Sequence, residues 1–324
     1  MGMKKIIAID LGGTSVKIAI VSQQGQIIEK WSLPTMSQQK GQLIVPTIIE
    51  AIISKLEERK ERVEDYLGIG MGSPGTILKD GSVKGAYNLN WVNPHPVKAI
   101  FQQEINLPFV IINDANAAAL GELWQGAGKG CSDLVMLTLG TGVGGGIICQ
   151  NRLIEGSSGS AGEIGHITID LSNQFQCSCG KKGCLEAIAS ARGLTNLAKV
   201  LAKDYQGSSS AYQAFMVSQT IDAEKLIKAA RAKDDFALRI FDEFTKYLGL
   251  ACSYCANILN PDRIVIGGGI SNAGTYLKEA IENHYQHFVF QPIKDQTQIT
   301  LAELGNDAGI LGAGYLLLLK ESGK

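Results

Sequence analysis

The sequence predicts an α/β protein of two related lobes with mixed sheets around a cleft, and three observations carry that expectation. A strand, a Gly-rich turn and a returning strand occur twice, about 130 residues apart, at DLGGT (10–14) and LGTGVGGG (139–146). Between and after them lie stretches whose apolar residues return every three or four positions, the helical period. The chain has 324 residues, 45% of them hydrophobic, which is enough for two domains that each bury a core.

In chain order, KKIIAID, VKIAIV and QIIEKWSL read as a three-stranded meander, with the polar turn SQQG before the third strand. The spacing of Leu43, Ile44, Ile48, Ile49, Ile52, Ile53 and Leu56 predicts a helix over 41–62. YLGIGMG and PFVIIN read as buried strands. The plan restarts at 132, with SDLVMLTLG as a strand, TGVGG as a turn, GIICQ as a second strand and NRLIEG as a short third. Residues 191–257 are helical in pattern, broken by QGSSSAYQ, which reads as a surface loop. RIVIGGGI is a strand entering a glycine turn, and AGILGAGYLLLL a buried C-terminal helix. The expected division is a smaller lobe over 1–114, completed by a helix over 308–324, and a larger lobe over 115–307 with a thiol-rich loop at 166–186.

Thirty basic residues against 31 acidic ones, with no run of Lys and Arg, argue against a nucleic-acid partner. The N-terminus is apolar for only a few residues before Asp10. The final apolar run is about half of the roughly 20 residues that a spanning helix needs. The expectation is a cytoplasmic protein with no membrane partner. Seven cysteines without an export signal argue for reduced thiols and make metal ligation the natural use of a cluster.

DLGGT turns one strand into the next through Gly12 and Gly13, which allow positive φ and close approach of backbone N–H groups to an anion. Asp10 beside that anion is useful when a cation bridges them, which suggests Mg²⁺ next to nucleotide phosphates, with Thr14 close by. The matching loop offers the Thr141 hydroxyl and the backbone donors of Gly140, Gly142 and Gly144. With Gly268 and Gly269 after a later strand, the set points to nucleotide binding. No Lys-Ser or Lys-Thr follows the glycines, so neither loop is a P-loop. The first glycines lead into a strand rather than a helix, which excludes a dinucleotide fingerprint.

Asn113-Asp114 precedes ANAAALGELW, a good helix sequence. Asp114 reads either as the helix cap or as a general base held ionised by the helix N-terminus. Together DLGGT, NDANAAALGE, LGTGVGGG, EIGH and CSCGKKGCLE resemble the ROK family of sugar kinases and regulators, in the family's order from Asp10 to Glu186, with GGGI near 267 extending the match. The resemblance implies an actin-like ATPase fold of two ribonuclease H-like domains, with a hexose in the cleft and ATP in an adjoining pocket. It implies Asp114 as the base for the sugar 6-hydroxyl. It also implies Asn113, Glu163, His166 and Glu186 as further hydroxyl contacts, with Gly75 and Asn88 as weaker candidates. The implied activity is a glucokinase, with N-acetylmannosamine or N-acetylglucosamine as the competing substrates. A sugar-sensing regulator is disfavoured, since nine residues before Asp10 are too few for a DNA-reading domain. A homodimer or homotetramer is expected.

His166, Cys177, Cys179 and Cys184 supply four ligands of the types that a structural zinc takes, and Gly180 and Gly183 let the short loop fold around a metal. The resemblance independently implies zinc there. Cys252 and Cys255 are spaced as a redox pair would be, yet their helical setting favours small buried side chains.

Overall fold

The computed structural model describes residues 3–321. By compactness the chain divides into two units: residues through Gly130 with Gly146–Ala161 and the stretch from Glu303, and Cys131–Gly145 with Gly162–Ala302.

In the first unit β1 (Lys5–Leu11), β2 (Ser15–Val21) and β3 (Ile27–Pro34) form the expected meander. After α1 (Ile44–Arg59) the chain adds β4 (Tyr66–Ser73), parallel to β1. The small hairpin β5 (Thr76–Ile77) and β6 (Val83–Lys84) and helix α2 (Val97–Glu104) follow. Then β7 (Phe109–Asn113), parallel to β4, completes a mixed sheet in the order β3-β2-β1-β4-β7, and α3 (Asp114–Gln125) leaves it. Alternate residues of β1 bury on opposite faces. Ile7, Ile9 and Leu11 join Ile44, Ile48 and Ile52 of α1. Ile6 and Ala8 join Ile310, Leu311 and Leu317. Both faces are covered, so the strand reads as an unbroken apolar run.

The second unit opens with β8 (Leu134–Leu139) and β9 (Val143–Cys149); β10 (Arg152–Leu153) pairs antiparallel to β9, and the division between units falls inside β9. Helices α4 (Ala191–Leu201), α5 (Ser210–Ser218), α6 (Ala223–Arg231) and α7 (Asp235–Leu259) precede β11 (Arg263–Gly267). Then come α8 (Thr275–Phe288), β12 (Gln298–Leu301) and, back in the first unit, α9 (Ala308–Glu321). The second mixed sheet runs β10-β9-β8-β11-β12, with β11 parallel to both β8 and β12. Cys252 and Cys255 are buried on α7.

Four expectations shift. The helix expected over 41–62 is the shorter α1, ended by Lys60 in the left-handed region. SAYQ of the expected 206–213 loop is helical, because Ser209 accepts from the Tyr212 N–H and caps α5. Gly144 lies in β9 rather than in the turn. Where the sequence suggested a boundary after Asp114, the contacts keep α3 with the first unit, packed along α9. A Cβ on Gly312 would run into the Ala117 carbonyl and one on Gly121 into that of Ala308, so glycines set this close crossing. Residues 322–324 of the expected C-terminal helix lie outside the described residues.

Candidate functional site

In the first unit the parallel register aligns Asp10 with Gly72 and Ser73 with Asn113. The carboxyl ends of β1, β4 and β7 therefore bring Asp10, Gly75 and Asn113-Asp114 to one edge of the sheet, the end at which open α/β sheets bind ligands. Asp10 Oδ2 lies 3.2 Å from Lys17 Nζ, its cross-strand neighbour on β2. Lys17 Nζ also lies 3.4 Å from the Asn306 carbonyl. Gly12 and Gly13 do not adopt the positive φ expected of them. They are needed for close approach instead: a Cβ on Gly12 would stand 2.9 Å from Ser15 O, and one on Gly13 2.9 Å from the Asn88 amide nitrogen. Asn88 thus lies against the first Gly-rich turn, and Thr14 is exposed on it.

Asn113, not Asp114, is the N-cap of α3. Its Oδ1 accepts from the Ala115 and Asn116 N–H groups at 2.9 and 3.3 Å, and its Nδ2 donates to Gly75 O at 3.2 Å. Gly75 has φ +90, and a Cβ there would stand 2.8 Å from Lys84 O, so the residue must be glycine. Asp114 is the exposed first residue of α3, with Oδ1 2.9 Å from the Ala115 N–H. Its carboxylate sits at the N-terminal, positive end of the helix dipole.

In the second unit the parallel β8 and β11 align Thr138 with Gly267, so the turn Gly140–Gly142 and the glycines after β11 leave the same sheet end. Gly268 has φ +84 and would collide with the Leu139 backbone if it carried a side chain. Beside Gly269 opens a cavity of about 520 Å³, lined also by Asn272 and by Ile227, Lys228 and Arg231 of α6. No motif announced these α6 residues. Thr141 is exposed in the turn, and Val143 N donates to Glu186 Oε2 at 3.2 Å directly after it. Glu186 Oε1 accepts from Ser178 Oγ at 2.6 Å and lies 3.7 Å from Cys177 Sγ. The carboxylate therefore couples the glycine turn to the thiol loop.

EIGH forms a short 3₁₀ turn over Ile164–His166, with Glu163 before it. Gly165 would meet Val143 O if it carried a Cβ. The His166 ring uses its two nitrogens differently: Nδ1 lies 3.6 Å from Cys177 Sγ, and Nε2 lies 3.9 Å from the exposed Glu163 carboxylate. The ligand atoms of His166, Cys177, Cys179 and Cys184 all lie within 4.8 Å of one another. Zn–S bonds of about 2.3 Å in a tetrahedron put sulfurs about 3.8 Å apart, and the Cys179 and Cys184 sulfurs are 3.7 Å apart. The donor set fits zinc. Gly180 and Gly183, at φ +89 and +76, supply the reversals that fold the loop. Burial pushes the Cys184 thiol up to about 12 and raises Cys177, while the Lys181 backbone N–H lowers the exposed Cys179. A metal there would have to displace protons.

The sequence pattern of the ROK family matches residues 6–320. A glucokinase from Halalkalibacterium halodurans is 40% identical over 98% of this chain and 96% of its own. A xylose repressor from Caldicellulosiruptor bescii is 35% identical over 95% of this chain and 76% of its own. Among solved structures, a ROK family glucokinase from Streptomyces griseus, in complex with glucose and AMPPNP, is 32% identical. It superposes with a TM-score of 0.76 over 96% of this chain and 98% of that one. With its two mixed sheets and their glycine turns, the chain belongs to the ROK family and has the actin-like ATPase fold of that family's sugar kinases.

Proposed function

We propose that the protein is an ATP-dependent glucokinase, transferring the γ-phosphoryl group of ATP to the 6-hydroxyl of glucose. The observation that carries the reading is Asp114: an exposed carboxylate at the head of α3, on the same sheet edge as Asp10, in a chain 40% identical to a glucokinase over nearly its whole length. Asp114 takes the proton of the 6-hydroxyl as that oxygen attacks the γ-phosphorus, and the bond from phosphorus to the departing ADP oxygen breaks. Asn113 keeps Asp114 in place by capping α3 and holding Gly75, with one amide hydrogen left for a sugar hydroxyl. Glu163, the Nε2 edge of His166 and Glu186 offer carboxylate and imidazole groups that pair with a polyol and reject analogues leaving a partner unmet.

The turns Gly12–Thr14 and Gly140–Gly142, with Gly144, Gly268 and Gly269, supply backbone donors for ATP, and the cavity beside Gly269 takes its base. Mg²⁺ suits the Asp10 carboxylate, since this ion is held by one or two carboxylates together with substrate phosphates. When bound it neutralises phosphate charge. His166, Cys177, Cys179 and Cys184 would hold zinc as a closed structural site that fixes the loop leading to Glu186.

A reducing cytoplasm suits seven cysteines with no disulfide among the described residues, and no described helix is long and apolar enough to cross a membrane. Tyr254, Ile258, Phe288 and Phe290 are each exposed in the second unit, and exposed apolar side chains of this kind support a dimer or tetramer. Light scattering of the purified protein would test that assembly, with a monomer as the contrary result. The activity is tested by a coupled assay crossing six sugars, including both N-acetylhexosamines, with ATP, ADP and polyphosphate. The highest kcat/KM is expected for glucose with ATP. A higher value for an N-acetylhexosamine would reassign the substrate.

A further inference from the structure

A second cavity, of about 700 Å³, lies entirely within the first unit and includes none of the residues assigned above to sugar, nucleotide or metal. Lys79, Lys98 and Lys320 line it, against Glu155 as the one acidic group. None of the three amines has a carboxylate partner among the described residues. Lys98 is anchored: its backbone N–H donates to Gly81 O at 3.3 Å. Its stem also lies over Gly81, where an added Cβ would stand 2.8 Å from Lys98 Cδ. Lys320 sits in the last turn of α9, where the helix dipole also favours a cation.

Another part of the lining is the loop Glu155–Gly159, carrying the exposed Ser157 and Ser158. It reverses at Gly156 and Gly159, with φ +75 and +78, and closes with the Ala161 N–H on Glu155 O at 3.1 Å. The N–H groups of Gly156 through Ser160 have no acceptor among the described residues. Free N–H groups in a glycine turn are anion donors, and lysines add charge and reach.

We propose that this cavity is a second ligand site for a phosphorylated polyol, with the phosphoryl group against the three lysines and hydroxyls against Glu155, Ser157 and Ser158. Its anion preference stands on the lysines and the glycine loop. Its narrower ligand class, a hexose phosphate, rests on the kinase reading, whose product has that chemistry.

The test uses the full-length protein saturated with glucose and a non-hydrolysable ATP analogue, so that the reaction site is filled. Calorimetric titration with glucose 6-phosphate should reveal one further site per chain. Lys98→Gln and Lys79→Gln should each weaken it about tenfold or more, the scale of one charge-assisted hydrogen bond, with turnover and melting temperature unchanged. Inorganic phosphate should bind the same site more weakly, with the same dependence on the lysines. No binding once the reaction site is filled, or binding that neither substitution weakens, overturns the site. Phosphate binding equal to that of glucose 6-phosphate overturns the polyol half. Failure to phosphorylate any sugar would instead refute the kinase reading and is read in a separate turnover assay.

Discussion

Asn113 and Asp114 are adjacent, both are favoured helix caps, and only the structure separates their tasks. Asn113 directs its amide at the protein, to two N–H groups and the Gly75 carbonyl, which leaves Asp114 as the exposed carboxylate. Asp114→Asn should keep the fold and glucose binding while kcat falls about 10²-fold or more, the scale of a positioned general base. Full turnover by the folded variant would remove Asp114 from the mechanism. The thiol loop makes a second residue-level claim. Cys179→Ser should lower zinc content and weaken glucose affinity more than ATP affinity, because the loop carries Glu186 and the His166 ring. Metal analysis with separate glucose and ATP titrations checks it, and a zinc-depleted variant that binds glucose normally would contradict it. Zinc affinity of the wild type should rise with pH, because protons on the raised thiols of Cys177 and Cys184 must leave before sulfur binds. The clustering of His166, Cys177, Cys179 and Cys184 was legible because their spacing groups them. The α6 residues beside Gly269 were not, since they meet the glycine turn only through the fold.

At the scale of elements, strands were easier to read than their ends. The run KIIAIDL announces a strand buried on both faces, and its alternation between two clusters is what that run requires. Turns were harder. Gly144 looked like turn material because glycine suits both a turn and a strand that other backbone approaches closely. The polar QGSSSAYQ concealed a helix start, because serine serves both as loop residue and as cap. Small residues in AGILGAG read as a buried helix without revealing their partner. The partner is α3, and Gly312→Val should destabilise the protein by about 2–4 kcal/mol, since its side chain must displace the Ala117 carbonyl. Urea denaturation measures this, and a loss under about 0.5 kcal/mol, the range of surface changes, would mean that the crossing yields easily.

For the whole molecule, the repeated strand and glycine-turn plan was the strongest sequence signal, and both halves of it end at the carboxyl edge of a mixed sheet. The division into units was legible only in part: the return of the C-terminal helix to the first unit was expected, whereas the earlier return at Gly146–Ala161 and the place of α3 were not. Such returns depend on contacts distant in sequence, as between α3 and α9, which no local pattern encodes. The same holds for the lysine-lined cavity, whose walls come from five separated stretches of one unit. What joins these scales is one reaction, and the position of the new ester bond tests it most directly. Wild-type protein incubated with glucose, ATP and Mg²⁺ should give a product whose phosphorus couples in the NMR spectrum to the two hydrogens on carbon 6. A phosphate ester on another carbon, or no ester from folded and zinc-loaded protein, would contradict the account.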